Sequence, residues 1–161
     1  MPIRQAEPSD LPAILRVYRV AKETMIRRGN PNQWPEGYPA SAVPQDIEMD
    51  RCYVEQDDRG EIHGVFACIP GDDPMYRVIT RGQWRNDRPY AAIHRVGSDG
   101  VMPGFFGRCV AFCRQISPEL RVDTHADNRA MQHLAEKHGF CRCGEVYTAA
   151  GSPRIAYQLK T

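Results

Sequence analysis

A predicted strand, helix and turn between residues 120 and 140 constrain the fold more than any other part of the sequence. Leu120–Thr124 alternates apolar and polar residues, as a half-buried strand does. An amphipathic helix opened by Asp127 or Asn128 follows, and Gly139 suits the end of that helix. Strands that lead directly into helices are typical of α/β domains. We therefore predict an α/β fold.

The other elements are predicted from periodicity and turn residues. Apolar residues at helical spacing predict a first helix that begins after Ser9 or Asp10 and ends near Gly29. Cys52–Glu55 and Glu61–Ile69 predict a β-hairpin. Further strands are predicted at Tyr90–Val96, Phe140–Tyr147 and Arg154–Leu159, a helix at Gly104–Ile116, and a loop or short broken helix at Asn30–Pro44. This order predicts a mixed sheet with helices on both faces.

Length and charge exclude several classes of protein. A chain of 161 residues has the size of one domain, so we place residues 1–161 in a single unit. Lys and Arg number 21 against 20 Asp and Glu, and this balance argues against a nucleic-acid partner. No signal-like start and no long apolar run is present, so we expect a cytoplasmic protein without a membrane span. The six cysteines lack Cys-x-x-Cys spacing, and we expect reduced thiols and no metal.

The segment from Gly97 to Arg108 joins a glycine-rich turn to a predicted helix start. The first N–H groups of a helix lack partners inside the helix, and they lie at its positive end. Gly104 and Gly107 let an anion approach the backbone, and Arg108 adds a charge-assisted contact. Pro103 has no N–H, so the donors begin at Gly104. A phosphate cradle is the functional interpretation, and a simple glycine turn is the structural alternative.

Two motifs resemble the GCN5-related N-acetyltransferase (GNAT) family. The family's pyrophosphate loop reads Gln/Arg-x-x-Gly-x-Gly/Ala. Val101–Phe106 is similar to it when aligned on Gly104, with valine in the first position and phenylalanine in the last. Asn128–Phe140 resembles the family's helix that begins with asparagine and ends in Gly-Phe. The resemblance implies a GNAT-like fold, with a central mixed, mostly antiparallel sheet of about seven strands and about four flanking helices.

The same resemblance implies acetyl-coenzyme A (acetyl-CoA) as co-substrate. The residues that it implies for binding acetyl-CoA are Arg95, Val96, Gly104, Phe105, Phe106, Gly107, Arg108 and Asn128. The implied reaction transfers an acetyl group by direct attack to the primary amine of a small molecule, amino acid or peptide. A non-catalytic acyl-CoA-binding module of the same fold is the alternative, because Ala135 stands where many relatives carry the tyrosine that protonates the thiolate.

Direct attack requires a neutral amine. The pKa of a lysine-type amine is about 10.4, so a base or a water relay must remove a proton. His125 is the favoured base, because it follows a predicted strand beside the Asn128 helix, and His94 is the second candidate. The alternatives are that His125 only fixes the turn before that helix and that His94 is merely packed. Tyr147, Tyr157 and a water are the candidates for the general acid.

The acceptor pocket is predicted from irregular segments. Trp34 and Tyr38 lie in a proline-rich stretch, where ligand contacts concentrate, and Asp123 can attract a cationic amine. Core packing of the two aromatics and a solvated carboxylate are the alternatives. An anion contact from Arg154 is a further hypothesis. We expect a monomer or a homodimer.

Overall fold

A computed structural model describes residues 2–161, which contain seven strands and four α-helices. The elements are β1 (Ile3–Gln5), α1 (Leu11–Arg27), α2 (Val43–Glu48), β2 (Cys52–Gln56), β3 (Ile62–Pro70), β4 (Ala91–Ser98), α3 (Phe105–Cys113), β5 (Leu120–Thr124), α4 (Arg129–Lys137), β6 (Phe140–Tyr147) and β7 (Pro153–Leu159). None of the helices in this part of the chain is both long enough and apolar enough to cross a membrane.

The seven strands form one sheet in the order β1-β2-β3-β4-β5-β7-β6. Five of the neighbouring pairs are antiparallel, and β4 and β5 are parallel. The predicted mixed, mostly antiparallel sheet with about four helices is therefore confirmed. The parallel pair exists because α3 carries the chain back over the sheet before β5 begins.

Helices cover both faces of the sheet. The apolar side of α3, which includes Phe105, Phe106 and Cys109, packs on one face together with Ala135 of α4. The apolar side of α1 packs on the other face, where Tyr18 and neighbouring residues are buried against β2 and β3. A smaller cluster of buried aromatic and aliphatic residues around Tyr76 and Tyr90 continues this second face over the strands that follow. All six cysteines are free, and five of them are buried.

Strands β4 and β5 separate after a short stretch of pairing. They are paired only at Ala91 with Leu120 and at Ala92 with Arg121. Farther along β4, the register against β3 shifts between Val65 and Ala67, so that the two residues Arg95 and Val96 lie opposite Phe66. Such a β-bulge bends its strand and increases the local twist. The sheet is therefore open between the second halves of β4 and β5.

The bulge has unusual backbone geometry at Arg95. Its φ is 54°, a conformation that residues with a Cβ seldom adopt. The phenol of Tyr18 on α1 donates to the Arg95 carbonyl at 2.7 Å. Helix α1 thereby holds the bulge in place.

One predicted helix ends at a different residue in the structure, and the stretch predicted as a loop or short broken helix has that form. Helix α3 ends at Cys113 rather than Ile116, because the last predicted turn is tighter: Gln115 N–H donates to Phe112 and Ile116 N–H to Cys113. The proline-rich stretch between residues 30 and 44 is irregular at first and then becomes helical, with a 3₁₀ turn at Ala40–Ala42 that leads into α2.

His63 on β3 is buried between two aspartates. Its Nδ1 lies 2.8 Å from Asp99 Oδ2 and its Nε2 lies 2.9 Å from Asp57 Oδ2. These hydrogen bonds, to Asp99 first and then to Asp57, raise the pKa of His63. Asp57, Glu61 and His63 also place metal-ligand atoms within 4.8 Å of one another, but both ring nitrogens of His63 are already bound by carboxylates.

We expect the raised pKa of His63 to make stability depend on pH. The imidazolium contributes its full stabilisation below the unfolded pKa of about 6.5 and loses it as the pH rises through the raised folded pKa. Urea unfolding across pH 5.5–9 measures this effect. The free energy of unfolding should fall in the wild type as the pH rises from about 6.5 through the raised pKa of His63, and it should fall less in His63→Gln. Parallel pH profiles for the two proteins would contradict the assignment.

Candidate active site

The opening between β4 and β5 leads into a cavity of about 690 Å³. This volume lies within the range of sites for small molecules. Phe106 and Met131 line the cavity from the face covered by α3 and α4, whereas Trp34 and Tyr38 line it from the opposite face. Because its walls come from both faces of the sheet, the cavity allows two different molecules to approach one another from opposite sides.

His94 of β4 lines this cavity and is held by a carboxylate. Its Nε2 lies 2.6 Å from Asp73 Oδ2, and its Nδ1 lies 3.6 Å from Asp123 Oδ2. The side chains of all three residues are 10–15% exposed. With the Nε2 proton shared with Asp73, Nδ1 has no hydrogen-bond partner among residues 2–161. It is therefore the nitrogen that can accept a proton.

Asp73 is fixed by its own neighbours. Its side chain caps the 3₁₀ turn Pro74–Tyr76 by accepting from Met75 N–H at 3.0 Å. Its backbone N–H donates to the Tyr90 hydroxyl at 2.8 Å. Burial disfavours the carboxylate, but the hydrogen bond and charge of His94 outweigh it, so the pKa of Asp73 is lowered. Asp73 is therefore an anion that orients His94 and stabilises its protonated form.

Asp123 is held by the same turn that contains Asp73. The fully buried phenol of Tyr76 donates to Asp123 Oδ2 at 2.6 Å. Burial and the nearby Asp123 charge raise the pKa of Tyr76, so the phenol remains a donor. Asp123 follows the part of β5 that pairs with β4, and its carboxylate lies where a cationic amine can be bound beside His94.

A second ionic group lies on the wall that contains Tyr38. Asp46, which is 1% exposed, accepts from Arg95 Nε at 2.8 Å and Nη2 at 2.9 Å, and from Arg51 Nε at 2.8 Å. Arg95 also donates to the Tyr38 hydroxyl at 3.2 Å. This group fixes the side chain of the bulge residue Arg95 and leaves the backbone of β4 facing the opening.

Helix α3 begins at the same end of β4 with unpaired amides. Gly104 is the N-cap residue and has a φ of 84°, a left-handed conformation that favours glycine. Within the described part of the chain, the N–H groups of residues 104–107 have no hydrogen-bond acceptor. Free amides at a helix N-terminus are suited to bind phosphate.

Arg108 is hydrogen-bonded to other groups of the protein. Its Nε and Nη2 donate to the carboxylate of the buried Glu55 at 2.7 and 2.8 Å. It also donates to the carbonyls of Pro103 at 2.7 Å and Met102 at 3.1 Å. Arg108 therefore ties the loop before α3 to strand β2. A contact from Arg108 to a bound anion stays a prediction, and it would use the one guanidinium N–H, on Nη1, that these four bonds leave free.

Asn128 has a similar double role. Its Oδ1 accepts from Met131 N–H at 3.0 Å, so it caps α4, and its Nδ2 donates to Gln33 Oε1 at 2.9 Å. Gln33 Oε1 also accepts from Thr124 Oγ1 at 3.2 Å. The loop after α1 is thus attached to the turn between β5 and α4, and Asn128 lines the cavity between them.

The structure brings most of the predicted site residues together. Those that line the cavity are Trp34, Tyr38, His94, Arg95, Val96, Phe106, Asp123 and Asn128. Gly104, Phe105, Gly107 and Arg108 lie at the start of α3, with Phe105 buried in the core.

Two predicted catalytic residues lie outside the cavity lining. The Nδ1 of His125 accepts from Asp127 N–H at 3.0 Å, the arrangement expected if His125 fixes the turn. Tyr147 is 39% exposed and donates to Glu145 Oε1 at 2.6 Å. Ala135, which replaces the usual tyrosine, is completely buried in the core. The catalytic roles of His125 and Tyr147 therefore stay predictions, and the geometry favours His94 as the base.

Sequence reasoning missed two residues of the site. Asp73 holds His94 in place, and Gln33 holds Asn128. Asp73 lies in an irregular segment, and its one local signal is the sequence Asp-Pro, which is typical of a turn. Gln33 carries no motif that distinguishes it from a loop residue.

Comparison with solved structures shows which proteins this chain resembles. A GNAT-family acetyltransferase from Streptococcus agalactiae is 28% identical, with a TM-score of 0.88, over 99% of this chain and 94% of the other. The GNAT resemblance is thereby confirmed. A GNAT-family acetyltransferase from Listeria monocytogenes has a TM-score of 0.73 at 15% identity, over 99% of this chain and 94% of the other.

A third solved structure with this fold belongs to an enzyme whose acceptor is known. The ribosomal-protein-S18-alanine N-acetyltransferase from Escherichia coli has a TM-score of 0.62 at 14% identity, over 98% of this chain and 91% of the other. At such identities the Listeria and Escherichia coli structures show a shared fold alone. No protein-family model and no curated protein sequence matches this chain. The GNAT neighbours support acetyl transfer in general and leave the acceptor open.

Proposed function

We propose that this GNAT-fold chain transfers the acetyl group of acetyl-CoA to a primary amine by direct attack, with His94 as general base. One observation carries the proposal. His94 is bound through Nε2 to Asp73, and its Nδ1 lies free beside Asp123 in a cavity between separated strands. A base that is oriented by a carboxylate and reaches a cavity has the arrangement needed for proton abstraction.

The start of α3 and the edge of β4 supply the groups that suit acetyl-CoA. The free amides of residues 104–107 are donors for a pyrophosphate, and Asn128 and Phe106 line the way into the cavity. Beyond Ala92, β4 has no pairing with β5, so its backbone is available on that side. Such N–H groups suit a thioester carbonyl, whose oxygen gains negative charge as the amine attacks.

Each residue of the His94 group has a separate task in this reaction. Asp123 binds the acceptor as an ammonium, and Nδ1 of His94 then takes the proton that must leave before attack. Asp73 keeps the other ring nitrogen protonated and stabilises the imidazolium that forms. We infer that solvent protonates the departing thiolate, since Ala135 has no acidic proton to give and Tyr147 is bonded to Glu145 outside the cavity lining.

Thiol release tests the proposal. The protein is mixed with acetyl-CoA and a panel of amines, amino acids and peptides, and free CoA is detected with a disulfide reagent. A reaction without acceptor corrects for Cys141, the cysteine that is not buried. We expect release that requires both the protein and one class of amine. Binding of acetyl-CoA with no release for any acceptor would instead fit the non-catalytic alternative.

A further inference from the structure

We propose that the acceptor carries a carboxylate next to its amine, as a free α-amino acid does, and that Arg154 binds this carboxylate. The inference rests on the proposed function and names the substrate class of the same cavity. Arg154 lies on β7, lines the cavity and is 6% exposed. From the sequence alone, an anion contact from Arg154 is only a hypothesis, and the structure now shows which groups surround its guanidinium.

The guanidinium of Arg154 has no carboxylate partner. Its Nη1 donates to Ser152 Oγ and, at 3.0 Å, to the Pro153 carbonyl, and its Nη2 donates to the Gln33 carbonyl at 3.0 Å. All three acceptors are neutral, and Nε has no acceptor among residues 2–161. Burial lowers the pKa of Arg154 and outweighs the attraction of Asp123. A buried cation without a counter-ion is costly, so this one is suited to an anionic ligand.

The other arginines that line the cavity are different. Arg51 and Arg95 share the carboxylate of Asp46 at 2.8–2.9 Å, so both already have an anionic partner. Arg154 is therefore the cavity arginine with N–H groups and charge left for a ligand. Its contacts to Gln33 and Ser152 hold the guanidinium in one place.

Strand register places Arg154 near the proposed amine site. Asp123 of β5 pairs directly with Ala156 of β7, so Arg154, two residues earlier, lies on the same face and diagonal to Asp123. Diagonal positions in an antiparallel pair are about 7–8 Å apart at Cα, within reach of long side chains. The cavity thus presents the Asp123 carboxylate beside His94 and the Arg154 guanidinium at the diagonal position on the neighbouring strand. An α-amino acid, with its ammonium and carboxylate two bonds apart through one carbon, matches this pattern.

The same pattern argues against two other acceptor types. A peptide N-terminus has a neutral amide where the amino acid has its carboxylate, so it leaves Arg154 buried and unpaired. A simple alkylamine does the same. Leaving a buried charged group without its partner lowers affinity or rate by roughly 10- to 100-fold.

The first test uses the wild-type protein with matched acceptors. Thiol release is measured for a series of L-α-amino acids, their C-terminal amides and the amines that lack the carboxyl group, such as phenylalanine, phenylalaninamide and phenethylamine. We expect kcat/KM to be roughly 10- to 100-fold higher for the best free amino acid than for its amide and its decarboxylated form. Equal values across each trio, or a preference for amides, would overturn the proposal.

The second test separates binding from structure with Arg154→Met and Arg154→Lys. We expect Arg154→Met to raise KM for the amino acid by a factor roughly 10-fold or more larger than its effect on the decarboxylated amine, while Arg154→Lys restores part of the preference. Loss of both reactions by the same factor in a folded Arg154→Met protein would overturn the proposal, because it indicates a structural role.

The proposal of acetyl transfer and the proposal of an amino acid acceptor can be disproved separately. If no acceptor releases thiol, the amino acid series is titrated calorimetrically into the wild type and Arg154→Met in the presence of CoA. Binding of free amino acids, but not of their amides, to the wild type alone supports the carboxylate site even though transfer fails. Absence of amino acid binding to the wild type overturns it.

Discussion

Replacing His94 with Gln is expected to lower kcat by about 10²- to 10⁴-fold, the usual contribution of a positioned general base. Glutamine keeps a donor for Asp73 but cannot take a proton from the amine. KM for the acceptor should change much less, since Asp123 and its partner Tyr76 stay in place. Steady-state thiol release with the best acceptor measures both constants.

His125→Gln is the matched control for His94. The structure has His125 in the turn before α4, with its Nδ1 bonded to the Asp127 amide. We expect less than about a threefold change in kcat, because turn residues away from the reacting atoms have small effects. A larger loss for His125→Gln than for His94→Gln would assign the base to His125 instead.

Replacing Arg108 with Met is expected to be the most destabilising of the changes considered. The Glu55 side chain is 1% exposed, and removal of Arg108 leaves its charge unpaired. Fully buried pairs lose about 3–5 kcal/mol in this way, but the Arg108 side chain is 37% exposed, so we expect about 2–3 kcal/mol. Chemical denaturation measures the change in the free energy of unfolding.

A double-mutant cycle checks the cause of that loss. Glu55→Gln removes the buried charge that Arg108→Met leaves unpaired. The double variant should therefore be at least about 1 kcal/mol more stable than the sum of the two single changes predicts. Strict additivity would show that the pair does not account for the loss. The cycle also tests the site, because acetyl-CoA affinity should be retained in the double variant if the amides of residues 104–107 carry phosphate binding without Arg108.

Local patterns were sufficient for much of the fold. Strand β5 has the predicted bounds at Leu120–Thr124, and β6 has them at Phe140–Tyr147, because alternation and flanking turn residues fix both. The helix with Asn128 as its N-cap was predicted for the same reason: an asparagine side chain that accepts from an amide three residues on is a local interaction. The GNAT resemblance then supplied the number of strands and the mostly antiparallel character of the sheet, whereas the strand order came from the structure.

The arrangement of the site could not be predicted, because its contacts join distant segments. Asp73 meets His94 across 21 positions, Tyr76 meets Asp123 across 47, and Gln33 meets Asn128 across 95. The preference for His125 over His94 did not take the contact between Asp73 and His94 into account. Nothing in the sequence of an irregular segment indicates which strand that segment crosses. Arg108 was expected to face an anion because Glu55, 53 positions earlier, carries no signal that it is buried.

Calorimetric titration of acetyl-CoA into the wild type, Pro103→Glu and Pro103→Gln tests the central claim that the start of α3 holds a diphosphate. Pro103 is exposed and precedes the free amides, so glutamate adds a like charge there, while glutamine is its neutral control. An extra charge about 6 Å from the phosphates, at an effective dielectric constant of about 40, weakens binding about 10-fold. A carboxylate at a helix start does not destabilise the fold. We predict that the wild type and Pro103→Gln bind acetyl-CoA equally and that Pro103→Glu binds about 10-fold more weakly; equal affinity of all three, or no binding to the wild type, would contradict the account.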